Sequence, residues 1–175
     1  ETLWAEYSKG KDAGDAHNYE SLQAYLGTSD AKAKKLIRFD LADKEDMFDV
    51  VSYQKGGRIL NMLRNYLGED AFYKGLNIYL KNNAFGNGEA HQLRLAFEQV
   101  SGRDLNWFFN QWYFGKGHPN VQISYDYNTL EKKVTVNVIQ RGDFFQFPLA
   151  IDIVEKGKVQ RKNVFINGMD NSFVF

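Results

Sequence analysis

Apolar residues recur at helical spacing through the first part of the chain and alternate through the last part. Leu3, Trp4 and Tyr7 form a short helical stripe closed by Gly10. A second helix is predicted from about Asp12 to Tyr25 or beyond, with Ala16, Tyr19, Leu22, Tyr25 and Leu26 on one side. Gly27 interrupts or ends it, and Ala31 to Lys35 is a candidate continuation. Leu36 to Asp46 has no clean period and reads as an extended connection. From Ile59 onward, Ile59, Met62, Leu63, Tyr66 and Leu67 mark one face of a helix, with Gly68 where a left-handed C-terminal cap is wanted. Ala71, Phe72, Leu76, Tyr79 and Leu80 give another helix, broken at Gly86-Asn87-Gly88. Leu93, Phe97 and Val100 give one more, ended by Gly102, and Asp104 is the expected N-cap of a helix carrying Trp107, Phe108 and Trp112. Short turns between these helices predict antiparallel packing.

The period changes at Gly117-His118-Pro119. Val121, Ile123, Tyr125 and Tyr127 alternate, as do Val134, Val136 and Val138, and residues 128–132 between them complete a hairpin signal. Phe145, Phe147, Leu149, Ile151 and Ile153 alternate in the next strand, Lys156-Gly157 turns into a strand through Val164 and Ile166, and a short strand is predicted at Phe173 to Phe175. Pro148, which has no N–H to donate, is expected at an edge. The expected class is α+β: an antiparallel α-helical domain over 1–117, then a partial antiparallel β-sandwich over 118–175, with too few strands to finish the sandwich.

Composition narrows the function classes. Twenty-two basic and 22 acidic residues cancel, which removes the electrostatic case for nucleic acid or an anionic membrane surface. A hydrophobic content of 43% with 15% aromatics supports a packed core. Cysteine is absent, so disulfide and thiolate chemistry are excluded and the compartment stays open. No apolar run reaches membrane-spanning length. The serines lie outside any G-x-S-x-G context, and the Gly86 and Gly115 turns are too short for a phosphate loop. Trp107, Phe108, Trp112, Tyr113 and Phe114 are read as core and inter-domain packing, not as a ligand-stacking cluster.

The most informative stretch is Ser52-Tyr53-Gln54-Lys55-Gly56-Gly57-Arg58 leading into the Ile59 helix. Two glycines occupy the opening turn, where helix propensity is most needed, and they allow another backbone or a ligand to come close. One reading makes Tyr53 a hydrogen-bonded core residue. The stretch also resembles the Tyr-x-Lys-Gly helix of the aminopeptidase N-type zinc metallopeptidases, the gluzincin family that includes leukotriene hydrolase. The resemblance extends over Asp46-Met47-Phe48-Asp49, Leu67-Gly68-Glu69-Asp70-Ala71-Phe72, Tyr79 to Phe85, Ser101 to Leu105, Trp107-Phe108-Phe109 with Trp112, and Gly117-His118-Pro119. It implies the C-terminal half of a thermolysin-like catalytic domain, peptide substrates, zinc in the parent protein, and Tyr53 as the residue stabilising the tetrahedral intermediate. A phenol, protonated at neutral pH, can donate to an oxyanion as charge develops.

The zinc motif of such enzymes, H-E-x-x-H, is not in the sequence. The three histidines, His17, His91 and His118, lack its spacing. By the family's register neither Glu1 nor Glu6 is the third ligand, and no metal ligand is assigned in this chain. The chain is therefore expected to be a piece of a zinc aminopeptidase that is silent on its own. Its expected partners are a peptide substrate and the N-terminal part of the catalytic domain. Self-association through bared apolar surface is a further expectation. The alternative is a non-catalytic scaffold or binding module derived from the same family. Lys55 is read as structural or surface, and Gly56 and Gly57 as packing glycines first and substrate-approach glycines second.

Overall fold

The computed structural model describes residues 1–175 and divides into two compact units, Glu1–Gly117 and His118–Phe175. The first is helical: α1 (Thr2–Lys9), α2 (Lys11–Leu26), α3 (Gly56–Leu67), α4 (Glu69–Asn82), α5 (Ala90–Ser101) and α6 (Asn106–Trp112). Its centre is aromatic. Phe72 of α4 stacks on Phe97 of α5 with centroids 5.5 Å apart, and Phe109 of α6 stacks on Tyr113 at 4.4 Å. Gly75 is there because of this packing, since a Cβ at that position would lie 2.4 Å from a ring carbon of Phe97.

Most predicted helices appear with small shifts of boundary. Gly102 closes α5 in the left-handed region. Gly68 does not: its φ of 87° comes with an extended ψ of 159°, so it ends α3 and starts α4 in one residue. Asp104 acts one position earlier than expected, its carboxylate accepting from the Asn106 N–H while Leu105 is the N-cap. Residues 31–33 form a separate short 3₁₀ turn, not a continuation of α2.

The larger departure is α2. The predicted apolar side is only partly the buried one: Leu22 and Tyr25 turn inward with Gly14, His17, Asn18 and Ser21, whereas Ala16, Tyr19 and Leu26 are exposed. Tyr25 joins Ala31 and Val51 in a small core cluster with Val50 against it. Above that cluster the inward face is polar. Gly14 permits close approach of α1, because a Cβ there would meet Glu6 at 2.9 Å. No residue of α1 is buried, and Trp4 and Tyr7 are largely open to solvent.

The second unit holds β1 (Val121–Asn128), β2 (Lys133–Gln140), β3 (Phe147–Glu155), β4 (Lys158–Ile166) and β5 (Asp170–Val174). They form two antiparallel sheets, β1-β2-β5 and β3-β4. Val121 pairs with Gln140, Val136 with Phe173, and Phe147 with Ile166. Lys156 and Gly157 both have positive φ, the two-residue turn that matches strand twist. Pro148 lies in the two-stranded sheet, where each strand has a free edge. Phe145 falls in the loop before β3, not in the strand. It is held there because buried Gln140 accepts from its N–H at 3.0 Å and donates to its carbonyl at 2.8 Å. Every residue of β1 is exposed, Ile123, Tyr125 and Tyr127 among them. No helix is long and apolar enough to cross a membrane.

Candidate active site

Asp49 organises the approach to α3. Its carboxylate accepts from the backbone N–H of Val51 (3.1 Å) and Ser52 (2.9 Å), and from both terminal nitrogens of Arg38 (2.7 and 3.1 Å). Arg38 also donates to the Ser52 hydroxyl at 3.0 Å. Held this way, Val51–Lys55 adopts a π-helical turn, with the Lys55 N–H donating to the Val50 carbonyl five residues back at 2.9 Å. Such one-residue expansions of a helix are frequent at functional sites. The turn runs into α3 with no break, Gly56 being fully helical.

The extra residue decides which side chains point inward. Val51, Lys55, Ile59 and Leu63 are buried in succession, and Tyr53 is turned outward. Tyr53 is 57% exposed, its ring 6.2 Å from that of Phe48, and its hydroxyl has no hydrogen-bond partner. The reading of Tyr53 as a hydrogen-bonded core residue is thereby overturned. Lys55 is structural and not at the surface: it is buried with its ammonium 5.9 Å from the Tyr25 ring centre, and burial pushes its pKa down to about 8. Gly56 fits the packing role offered for the two glycines, and Gly57 does not. A Cβ on Gly56 would come within 3.3 Å of Leu36, whereas one on Gly57 would meet nothing.

Gly57 and Tyr53 open on a cavity of about 310 Å³, lined also by Glu1, Thr2, His17, Asn18, Ser21, Gln54 and Arg58. The α1 and α2 residues of this wall had no signal in an apolar pattern, because the inward face of α2 is polar here. His17 is bonded through Nδ1 to the Thr2 hydroxyl at 2.9 Å, and its Nε2 lies 3.4 Å from the Glu1 carboxylate. Glu6 is turned elsewhere, paired with Arg64 at 2.6 Å. His91 stacks on Phe114 and is not on the wall of this cavity, and His118 belongs to the other unit. No three His, Cys, Asp or Glu side chains of residues 1–175 are grouped as a metal would require. Residues 1–175 therefore do not by themselves fit a zinc ion.

Within this arrangement lies the stretch on which family membership turns. The profile of the peptidase family M1 domain matches residues 7–112, more than half of the chain and all of the Tyr53 turn. The chain belongs to peptidase family M1. Among the curated relatives, Tricorn protease-interacting factor F2 of Thermoplasma volcanium is 33% identical over 129 residues, covering 70% of this chain and 16% of that protein. Aminopeptidase N of Streptomyces lividans is 42% identical over 79 residues, covering 43% of this chain and 9% of its own length. The crystal structure of Legionella pneumophila aminopeptidase A in complex with aspartic acid superposes with a TM-score of 0.77 at 16% identity, over 99% of this chain and 20% of that one. That likeness concerns the fold. The M1 chain described here thus spans a small fraction of the relatives it matches.

The Asp49 clamp predicts an acid response. Burial alone would raise the Asp49 pKa, but the bonds from Arg38 and from the Ser52 N–H outweigh it and bring the value from 3.8 down to about 2. With the folded value below the unfolded one, ionised Asp49 contributes about 2 kcal/mol of stability at pH above 3.8, and this fades as pH falls toward 2. Hydrogen exchange at the Val51 and Ser52 amides should therefore stay slow, after correction for intrinsic rates, down to about pH 3. Loss of protection already near pH 5 would refute the clamp.

Proposed function

We propose that residues 1–175 are the tyrosine-bearing part of a zinc-dependent aminopeptidase, with Tyr53 as the oxyanion donor for hydrolysis of N-terminal residues from peptides. In this reading 1–117 is the helical half of the catalytic domain and 118–175 begins a β-sandwich. The zinc ligands lie in other parts of the protein. The observation that carries it is Tyr53 itself: its hydroxyl is unpartnered, the residue lines a cavity, and the turn that bears it is fixed by Asp49 and Arg38. A phenol retained for packing needs neither the exposure nor the free hydroxyl, which disfavours a purely scaffolding role.

The substrate peptide enters the cavity between the start of α1, the inward face of α2 and Gly57. As the scissile carbonyl becomes tetrahedral, the phenol donates to the developing oxyanion without ionising. The exposed aromatics of α1 and the open face of β1 are surfaces that other parts of the protein would cover.

The test is made on the full-length protein. It should release p-nitroaniline from alanine p-nitroanilide and leave the N-acetylated analogue intact, because an aminopeptidase requires a free α-amine. Cleavage of both sinks the reading, as does failure to release p-nitroaniline from any of a panel of free-amine anilides that includes alanine, leucine, lysine and glutamate.

A further inference from the structure

Arg58 follows Gly57 on the cavity wall and is half-buried. One terminal nitrogen donates to the Asn18 carbonyl at 2.6 Å. Nothing else in the chain engages it, so most of its donors are unused. The other arginines of the helical unit are satisfied differently. Arg38 pairs with Asp49, Arg64 with Glu6 and Glu69, and Arg94 with Glu98. Arg103 is exposed and lies over the Tyr66 ring. Arg58 is the one half-buried arginine of that unit with no carboxylate. Glu1 shares the cavity but lies against His17 and forms no ion pair with Arg58.

A half-buried guanidinium left without an anion has its planar fork free for a bidentate carboxylate. Burial also lowers the Arg58 pKa, the direction an approaching anion would reverse. Because Tyr53 and Arg58 line one cavity, an anion held by Arg58 occupies the same space as the group facing the phenol.

We propose that Arg58 is a specificity-determining residue that receives a carboxylate of the peptide substrate, from an acidic side chain or from the free C-terminus of a short peptide. This rests on the aminopeptidase reading above. Neither the Asn18 bond nor the fold requires the unused donors, and a solvated surface role is at odds with the half-burial.

The experiment uses the full-length protein and three matched pairs: Glu-Ala-NH2 against Gln-Ala-NH2, Ala-Glu-NH2 against Ala-Gln-NH2, and Ala-Ala against Ala-Ala-NH2. At least one carboxylate member should be preferred by about tenfold in kcat/KM. The pair that shows it identifies the source of the anion. Arg58→Gln should bring that ratio to near one, and Arg58→Lys should keep only part of it. If Arg58 only tethers α3 to α2, Arg58→Gln will lower both members of a pair alike and leave the ratio unchanged. That outcome, or ratios near one in all three wild-type pairs, overturns the proposal. If no peptide is cleaved, the aminopeptidase reading fails by itself. Calorimetric titration with the same pairs then decides for Arg58: tighter binding of a carboxylate member, lost in Arg58→Gln, supports it, and equal affinities overturn it.

Discussion

Replacing Tyr53 by phenylalanine in the full-length protein is expected to lower kcat by about 10²–10³ with little change in KM. The substitution removes one oxygen and keeps the ring. That oxygen has no partner in the folded chain, so no buried group is orphaned by its loss. Tyr53 is more than half exposed, and its ring contact with Phe48 survives, so stability should stay within about 0.5 kcal/mol of wild type. A loss confined to kcat is what a donor acting only in the transition state produces. A kcat within a few-fold of wild type, with an unchanged melting temperature, would remove Tyr53 from the chemistry. If the protein is instead a binding module of the same family, Tyr53→Phe will leave partner affinity untouched.

The parts of the fold that were legible in the sequence are those with one-sided burial. α3, α4 and α5 each bury a stripe against other helices, and the buried residues Ile59, Leu63, Phe72, Leu93 and Phe97 stand at the spacings the sequence shows. The strands were equally plain where alternation met a turn of fixed chemistry, as at Lys156-Gly157. α2 misled because a cavity, not a core, lies against its middle. His17, Asn18 and Ser21 face inward, and a search for apolar periodicity assigns such residues to solvent. The Tyr53 turn was illegible from period alone for another reason. A π-helical turn adds a residue, so a helix counted back from Ile59 with 3.6 residues per turn loses register before Val51. Buried Lys55 and outward Tyr53 reverse what side-chain polarity suggests. Only the resemblance to the Tyr-x-Lys-Gly helix singled out Tyr53, and it said nothing of Arg58, whose isolation from carboxylates appears only in three dimensions.

Asp49→Ala is expected to be the most damaging single change to the turn. The carboxylate neutralises Arg38 and accepts from two backbone N–H groups, and both partners are largely buried, with 13% and 18% of their side chains exposed. Alanine would leave the Arg38 charge in place with no anion, a change that typically destabilises by about 3–5 kcal/mol. Lys34 adds little to this, because its ammonium lies 3.7 Å from the Asp49 carboxylate but keeps Asp30 at 2.7 Å. Asp49→Asn retains an oxygen for the turn's N–H groups and should lose roughly half as much. Arg38→Ala should cost less than Asp49→Ala, because the backbone donors and Lys34 still face the carboxylate. The double variant should be less unstable than the sum of the two single ones, since each removes the other's unpaired charge. Hydrogen exchange at the Val51, Ser52 and Tyr53 amides reads the local effect without assuming that the whole protein unfolds in one step. Because the same turn aims Tyr53 at the cavity, kcat should fall in Asp49→Ala even at temperatures where the rest of the protein stays folded. Full protection of those amides in Asp49→Ala would show that the turn is held by its packing against Tyr25 and Ala31, and that Tyr53 owes its position to the core beneath it.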